Sequence, residues 1–284
     1  MTARAAPLPH SRLRSGGGAA VVGTVTRGTT NPNRLRRMDR WIAAVHGAEL
    51  RRADDPVAVD LGYGAAPWTA VELLHRLRTV APRARVVGIE IDPARVAAAR
   101  PYEREGLLFR HGGFEVPLDR RPLLIRAANV LRQYDESEVA AVWQRLCARL
   151  APPDPAAGAL GGLLVEGTCD EIGRRHVWVA LGPEGPRTVT FATRLGSLQR
   201  PSDLAERLPK ALIHRNVPGE PVHAFLRDFD RAWAAAAPYA AYGARQRWIR
   251  AVRDLTADWP VTDGPARWRQ GEVTVGWAAL APRS

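Results

Sequence analysis

Two glycines and two acids are the residues of this 284-residue chain whose types and spacing could do chemistry. Asp60-Leu61-Gly62-Tyr63-Gly64 closes a short apolar run of Val57, Val59 and Leu61, and Glu90 closes a second run over residues 85–90. Between them, residues 68–80 carry apolar side chains at helical spacing. The pattern is strand, tight glycine turn, helix, strand. A side chain at position 62 or 64 would hold a ligand away from the backbone, and such a turn calls for positive φ. The helix that follows offers unpaired N–H groups to a negative group. In a right-handed βαβ unit the two strands are parallel neighbours, so Asp60 and Glu90 emerge at one sheet edge. An acid there is placed to accept hydrogen bonds from both hydroxyls of a ribose. The chemistry is nucleoside binding; the alternative is a purely structural turn.

Two nucleoside cofactors use this arrangement. The dinucleotide fingerprint asks for a small residue three places after Gly64, where this chain has Pro67, and that counts against NAD. Asp60 to Ala66, D-L-G-Y-G-A-A, resembles instead the first motif of class I S-adenosylmethionine-dependent methyltransferases, D/E-x-G-x-G-x-G, with Ala66 in place of the last glycine. The resemblance implies S-adenosyl-L-methionine as cofactor, with Asp60, Gly62, Tyr63, Gly64, Glu90 and Ile91 around it. It also implies an α/β, Rossmann-like class I methyltransferase fold: a central, mostly parallel seven-stranded sheet with helices on both faces. Where that family often has an acid for the adenine amino group, this chain has Gly113, which leaves Phe114 as the adenine contact through its N–H or ring. Residues 126–139, R-A-A-N-V-L-R-Q-Y-D-E-S-E-V, resemble a stretch of small-molecule and chemotaxis-receptor methyltransferases, which places Asn129 on a turn facing cofactor and substrate. The N-P-P-Y or D-P-P-F motif of enzymes that methylate an extruded base is absent after the fourth strand, which demotes RNA as acceptor without removing it.

The rest of the chain must position these groups. Residues 1–26 read as a disordered, arginine-rich leader, with a short strand over 21–26 as the alternative at its end. Residues 27–200 read as the cofactor-binding core and 201–284 as a helical C-terminal extension that returns a strand to the sheet over 273–279. Asn33 is the expected N-cap of a helix whose Leu35, Met38, Ile42 and Val45 face the edge of the sheet before Val57. The loop Arg27-Gly28-Thr29-Thr30 ahead of it either closes over the cofactor's carboxylate or simply leads into a solvated basic helix. Residues 168–175 hold a compressed version of the helix that usually precedes the last strand pair, and residues 176–181 and 188–195 read as a hairpin. Six of the nine tryptophans (178, 233, 248, 259, 268 and 277) lie from this hairpin onward, as core or as a substrate pocket.

The net charge of +12 is concentrated: residues 1–40 carry eight arginines against Asp39 alone. With Lys210 the only lysine, arginine and alanine usage reads as coding bias more than as a phosphate-gripping surface. Two cysteines exclude a disulfide framework, no apolar run reaches membrane-span length, and a cytoplasmic location is the default. No His/Cys/Asp/Glu cluster has metal-ligand spacing. A general base is needed only for a protonated nucleophile, and Glu166, Tyr134, His111 and His214 are the candidates. Three functions are thereby on the table: a methyltransferase for a small molecule, an RNA methyltransferase guided by the basic N-terminus, and a non-catalytic S-adenosylmethionine-binding protein.

Overall fold

The computed structural model describes residues 21–26, 28, 31–156 and 158–283. Most of the expected leader, and Arg27, Thr29 and Thr30 of the loop behind it, lie outside the described residues. Eight strands form one sheet: β1 Val57–Leu61, β2 Arg85–Glu90, β3 Leu107–His111, β4 Leu124–Ala128, β5 Leu163–Cys169, β6 Arg175–Gly182, β7 Gly185–Thr193 and β8 Glu272–Gly276. Their order is β3-β2-β1-β4-β5-β6-β7-β8, with the first five parallel and the last three antiparallel to their neighbours. β1 is buried along its whole length, as a strand covered on both faces must be.

Helices α1 Arg36–Arg52, α2 Trp68–Arg78 and α3 Pro93–Ala99 cover one face, where Met38, Ile42, Leu73 and Leu77 pack on Ala58, Val86, Val165 and Ala180. On the other face lie α4 Glu136–Cys147, α5 Lys210–Ile213, α6 Pro221–Ala235 and α7 Ala244–Leu255, with the short α8 Pro265–Trp268 leading into β8. Val139, Leu146, Phe225, Phe229 and Trp248 share one core there with Val59, Ile125, Val179 and Val275. The C-terminal helices therefore bury the same sheet face as α4. Phe191, Phe225, Phe229 and Trp248 form a run of ring contacts with centroids 4.9 to 5.8 Å apart.

Five expectations need correction. The sheet has eight strands, not seven, because β8 adds to β7 at the edge. No helix separates β5 from β6: the Asp170 carboxylate accepts the N–H groups of Arg174 and Arg175, Gly173 takes φ +67°, and the chain turns directly into a hairpin. Residues 21–26 are not a strand. α1 begins at Arg36 rather than being capped by Asn33, which has φ +61° and donates its N–H to Glu72. α1 also lies on the face of the sheet rather than at its edge: Trp41 meets Trp178 of β6 edge-on at 5.5 Å, while Val45 points to solvent. Among the described residues no helix is long and apolar enough to cross a membrane.

Candidate active site

The sheet changes winding direction between β1 and β4, and in open α/β sheets the crevice beyond the strand ends at that point is where ligands bind. A cavity of about 470 Å³ opens there. Its floor is the end of β1 (Asp60, Gly62, Tyr63, Gly64), the end of β4 (Ala128, Asn129) and Cys169 of β5.

The glycine turn is held from several sides. Gly62 has φ +69° and a Cβ there would lie 2.9 Å from Val130, while Gly64 has φ +86°. Gly62 N–H donates to the Ile89 carbonyl at 2.7 Å, and Gly64 N–H to Glu90 Oε2 at 2.9 Å. Glu90 Oε1 accepts the N–H of Ile91 at 3.0 Å and of Asp92 at 3.3 Å, and Arg95 stands 3.7 Å away. Glu90 is thus buried at the end of β2, beside the turn where the sequence placed it.

Asp60 has another partner. Its carboxylate accepts from Thr69 Oγ1 at 2.6 Å and pairs with Arg126 of β4 at 2.8 Å; the same guanidinium binds Asp39 of α1 and the Thr69 carbonyl. All three charged groups are buried. Burial opposes the Arg126 charge, but Asp39 and Asp60 outweigh it and hold the guanidinium's pKa above its ordinary value. Burial pushes the Asp39 carboxyl up to about 6 against the pull of Arg126. Asp39 and Arg126 form the part of the site that sequence reasoning missed; an acid on α1 and an arginine inside a buried strand were the available signals.

A second, narrower groove continues from Gly62 along Glu90, Ile91, Gly113, Phe114, Val130 and Tyr134. Only about 20 Å³ of it is open, because residues 22–26 run through it. Phe114 N–H donates to the Val22 carbonyl at 2.8 Å, Val22 N–H to Glu115 at 2.9 Å, and Thr24 N–H to the Tyr134 hydroxyl at 2.6 Å. Gln133 donates to Thr24, and Arg95 to the Thr26 carbonyl at 2.9 Å. A Cβ at Gly113 would lie 2.0 Å from the Val22 oxygen, so the strap and a side chain at that place exclude each other.

Of the nine expected cofactor residues, Asp60, Gly62, Tyr63, Gly64 and Asn129 line the cavity, and Gly62, Glu90, Ile91, Gly113 and Phe114 line the groove. Asn129, at φ +60°, accepts the Cys169 N–H and donates to Cys169 Sγ at 3.2 Å. The four catalytic candidates are not brought together. Tyr134 borders the groove. Glu166 lies inside the core on the α4 side of β5, where burial pushes its carboxyl up to about 8 and only the Trp143 indole acts the other way. His111 bonds the Ile91 carbonyl at 3.0 Å outside the cavity lining, and His214 follows α5, also outside it. None of the tryptophans lines the cavity, and no cluster of metal-ligating side chains occurs among the described residues.

No family model and no curated protein matches this chain. Among solved structures it is similar to human N-acetylserotonin methyltransferase in complex with SAM (22% identity over 47% of this chain and 37% of that one, TM-score 0.30). It is also similar to the sugar N-methyltransferase KedS8 of a Streptoalloteichus species (18%, 62% and 76%, TM-score 0.34). A third similar structure is a probable spermidine synthase from Corynebacterium glutamicum (17%, 46% and 47%, TM-score 0.33). The chain spans well under two thirds of the first and third of these. Likeness of this degree assigns no activity.

Proposed function

We propose that this chain is a nucleoside-cofactor enzyme of the doubly wound α/β class, its ligand lying across the ends of β1, β2 and β4. Within that class the reading is an S-adenosyl-L-methionine-dependent methyltransferase for a small molecule. The observation that carries it is the Gly62–Gly64 turn at the switch point of the sheet, fixed by Glu90 and opening into a cavity of about 470 Å³ beside a groove lined by Glu90, Ile91 and Phe114. The group fits if residues 22–26 leave. Glu90 then faces the ribose, Ile91 and Val130 face the adenine ring, and Phe114 N–H, now given to a carbonyl, becomes a donor to adenine. Gly113 leaves the base uncovered by any side chain at that edge.

When bound, the cofactor supplies an activated methyl group on a sulfonium. Gly62, Gly64 and Glu90 would hold it, and its methyl would pass to an electron-rich acceptor atom placed in line with the carbon–sulfur bond, any proton on that atom passing to solvent. Residues at the ends of β1, β4 and β5 hold the acceptor in line and exclude water, and proximity supplies much of the acceleration. With Glu166 in the core and both histidines outside the cavity, Tyr134 at the groove is the one candidate base left near the site, and an acceptor that arrives unprotonated needs none. The two buried, unbridged cysteines suit a cytoplasmic protein.

A second reading, a non-catalytic protein of the same fold, draws on the filled groove. Calorimetric titration with S-adenosylhomocysteine and with NAD separates the cofactor readings. The methyltransferase reading expects the first to bind and the second not, and expects Glu90→Ala to weaken binding by roughly tenfold or more through loss of charge-assisted hydrogen bonds. Absence of S-adenosylhomocysteine binding in both the full chain and a variant whose strap is loosened removes it. Transfer of label from methyl-labelled cofactor to a metabolite mixture tests catalysis itself.

A further inference from the structure

Beyond the glycine turn, the cavity wall is dominated by arginine. Arg34 on the turn into α1, Arg132 in the 3-10 turn Leu131–Gln133 and Arg207 at the end of the 3-10 segment Pro201–Arg207 line it together. Among the described residues, the acids of the lining are Asp60 and Glu171. Asp60 is already held by Arg126, and Glu171 lies at the exposed rim.

The three cations come from separate parts of the chain. Arg34 is steered by its Nε, which donates to Cys169 Sγ at 3.2 Å and to the Asp170 carbonyl at 3.1 Å. Arg132 makes no ion pair among the described residues; its only described hydrogen bond runs from NH1 to the Glu206 carbonyl at 3.3 Å. Arg207 has one carboxylate near, that of the exposed Glu206 at 3.6 Å, and its Nε has no partner. Partial burial, then the charges of Arg207 and Arg34, lower the Arg132 pKa. Like charges gathered in a half-enclosed space repel at a cost that a bound anion removes. The methionine carboxylate of the proposed cofactor is one anion and can satisfy one of these groups, whereas its sulfonium and ammonium add positive charge. Two guanidinium groups of the lining are then left in excess, and guanidinium geometry matches the oxygens of carboxylates and phosphates.

We infer that the cavity takes a small acceptor bearing an oxyanion, a carboxylate or a phosphate, which Arg132 and Arg207 anchor while a different atom of the molecule meets the methyl group. The inference rests on the proposed methyl transfer for the word acceptor, but not for the anion site, which is a property of the cavity itself.

Benzoate, phenyl phosphate and neutral benzamide, titrated calorimetrically into the full chain with and without S-adenosylhomocysteine, test it. At least one of the two anions is expected to bind, benzamide is expected to bind roughly tenfold or more weaker, and Arg132→Met and Arg207→Met each to weaken the anion by a similar factor. The same variants should hold S-adenosylhomocysteine within about threefold of the parent, since one cation suffices for its carboxylate. Arg132 is exposed on a surface turn, so its variant keeps the fold, and a thermal melt checks this for both. Equal binding of benzamide and benzoate, or anion affinity unchanged in both variants, overturns the anion site. Binding of a single-stranded oligonucleotide that depends on Arg132, with neither small anion bound, also overturns it in favour of RNA. Failure of S-adenosylhomocysteine to bind while an anion binds in an arginine-dependent way removes the cofactor reading and leaves the anion site standing.

Discussion

Gly23→Ala should strengthen binding of the proposed cofactor, although it alters a residue that a bound nucleoside would displace. Gly23 sits at φ +135°, where an alanine is strained by about 1–3 kcal/mol. Its Cβ would meet the Tyr134 hydroxyl at 3.2 Å and Ile91 at 3.5 Å. The strap is held by donors on Val22, Phe114, Thr24, Gln133 and Arg95. At about 1 kcal/mol net each, these bonds roughly offset the ordering of five residues at about 1–2 kcal/mol each, so the closed state is favoured by little once apolar contact is added. Apparent affinity equals intrinsic affinity multiplied by the open fraction. With closure favoured by about 1 kcal/mol, a strain of about 1–3 kcal/mol raises the open fraction, and with it the affinity, by about three- to sixfold. The assay is titration with S-adenosylhomocysteine, together with hydrogen exchange at the Phe114 amide, which loses its Val22 acceptor when the strap opens. Faster exchange at Phe114 with affinity unchanged or reduced would refute the reasoning, because the vacated groove would then not be the nucleoside site.

Stability offers two further tests. Glu166 is fully buried with its carboxyl raised from 4.5 to about 8, so its contribution is complete below about pH 4.5 and is lost as pH rises through 8, at about 1.4 kcal/mol per pH unit across that window. Glu166→Gln should flatten this slope and melt several degrees above the parent at pH 8.5 but not at pH 5; parallel melting profiles would sink the assignment. Arg126→Met should leave Asp39 and Asp60 buried without their counter-ion and lower stability in urea by about 3–5 kcal/mol at pH 8. The loss should shrink at pH 5, where a raised Asp39 carboxyl takes up a proton, and a pH-independent loss would contradict it.

The half of the fold that carries the site was legible because each element announces itself locally. β1, the glycine turn, α2 and β2 follow from apolar runs, Gly62, Gly64 and a helical period, and Asp92 and Asp135 stand immediately before α3 and α4 as N-cap residues. What the sequence hid was decided by contacts between distant segments. Leu35, Met38 and Ile42 of the expected α1 face are buried, but its last member was misjudged: the stripe turns toward Trp178, more than a hundred residues away, so Trp41 and not Val45 faces inward. The direct β5–β6 hairpin depends on Asp170 capping a tight turn, a choice that an expected helix concealed. Glu166 looked like a residue at a strand end facing the ligand, but β5 continues through Cys169, and alternation along the strand sends Glu166 into the core and Cys169 to the cavity. The arginines of the cavity wall arrive on three unrelated turns, and nothing in their spacing relates them.

The two motif acids divide their work, and this explains why the strap can matter so much. Asp60 ties β1 to β4 and α1 through Arg126, and Glu90 ties the end of β2 to the glycine turn, so the turn has its binding shape before any ligand arrives. A preformed turn loses little freedom on binding, and the main conformational cost of filling the groove falls on residues 22–26. Affinity for the proposed cofactor would then be set less by the motif, which is rigid, than by a segment ahead of the motif, whose glycine at 23 allows it to lie close against Tyr134 and Phe114. Substitutions at Thr24 that remove its bonds to Tyr134 and Gln133 should therefore move affinity for the proposed cofactor while leaving the urea midpoint of the whole chain nearly unchanged, whereas Val22 also packs on the shared core.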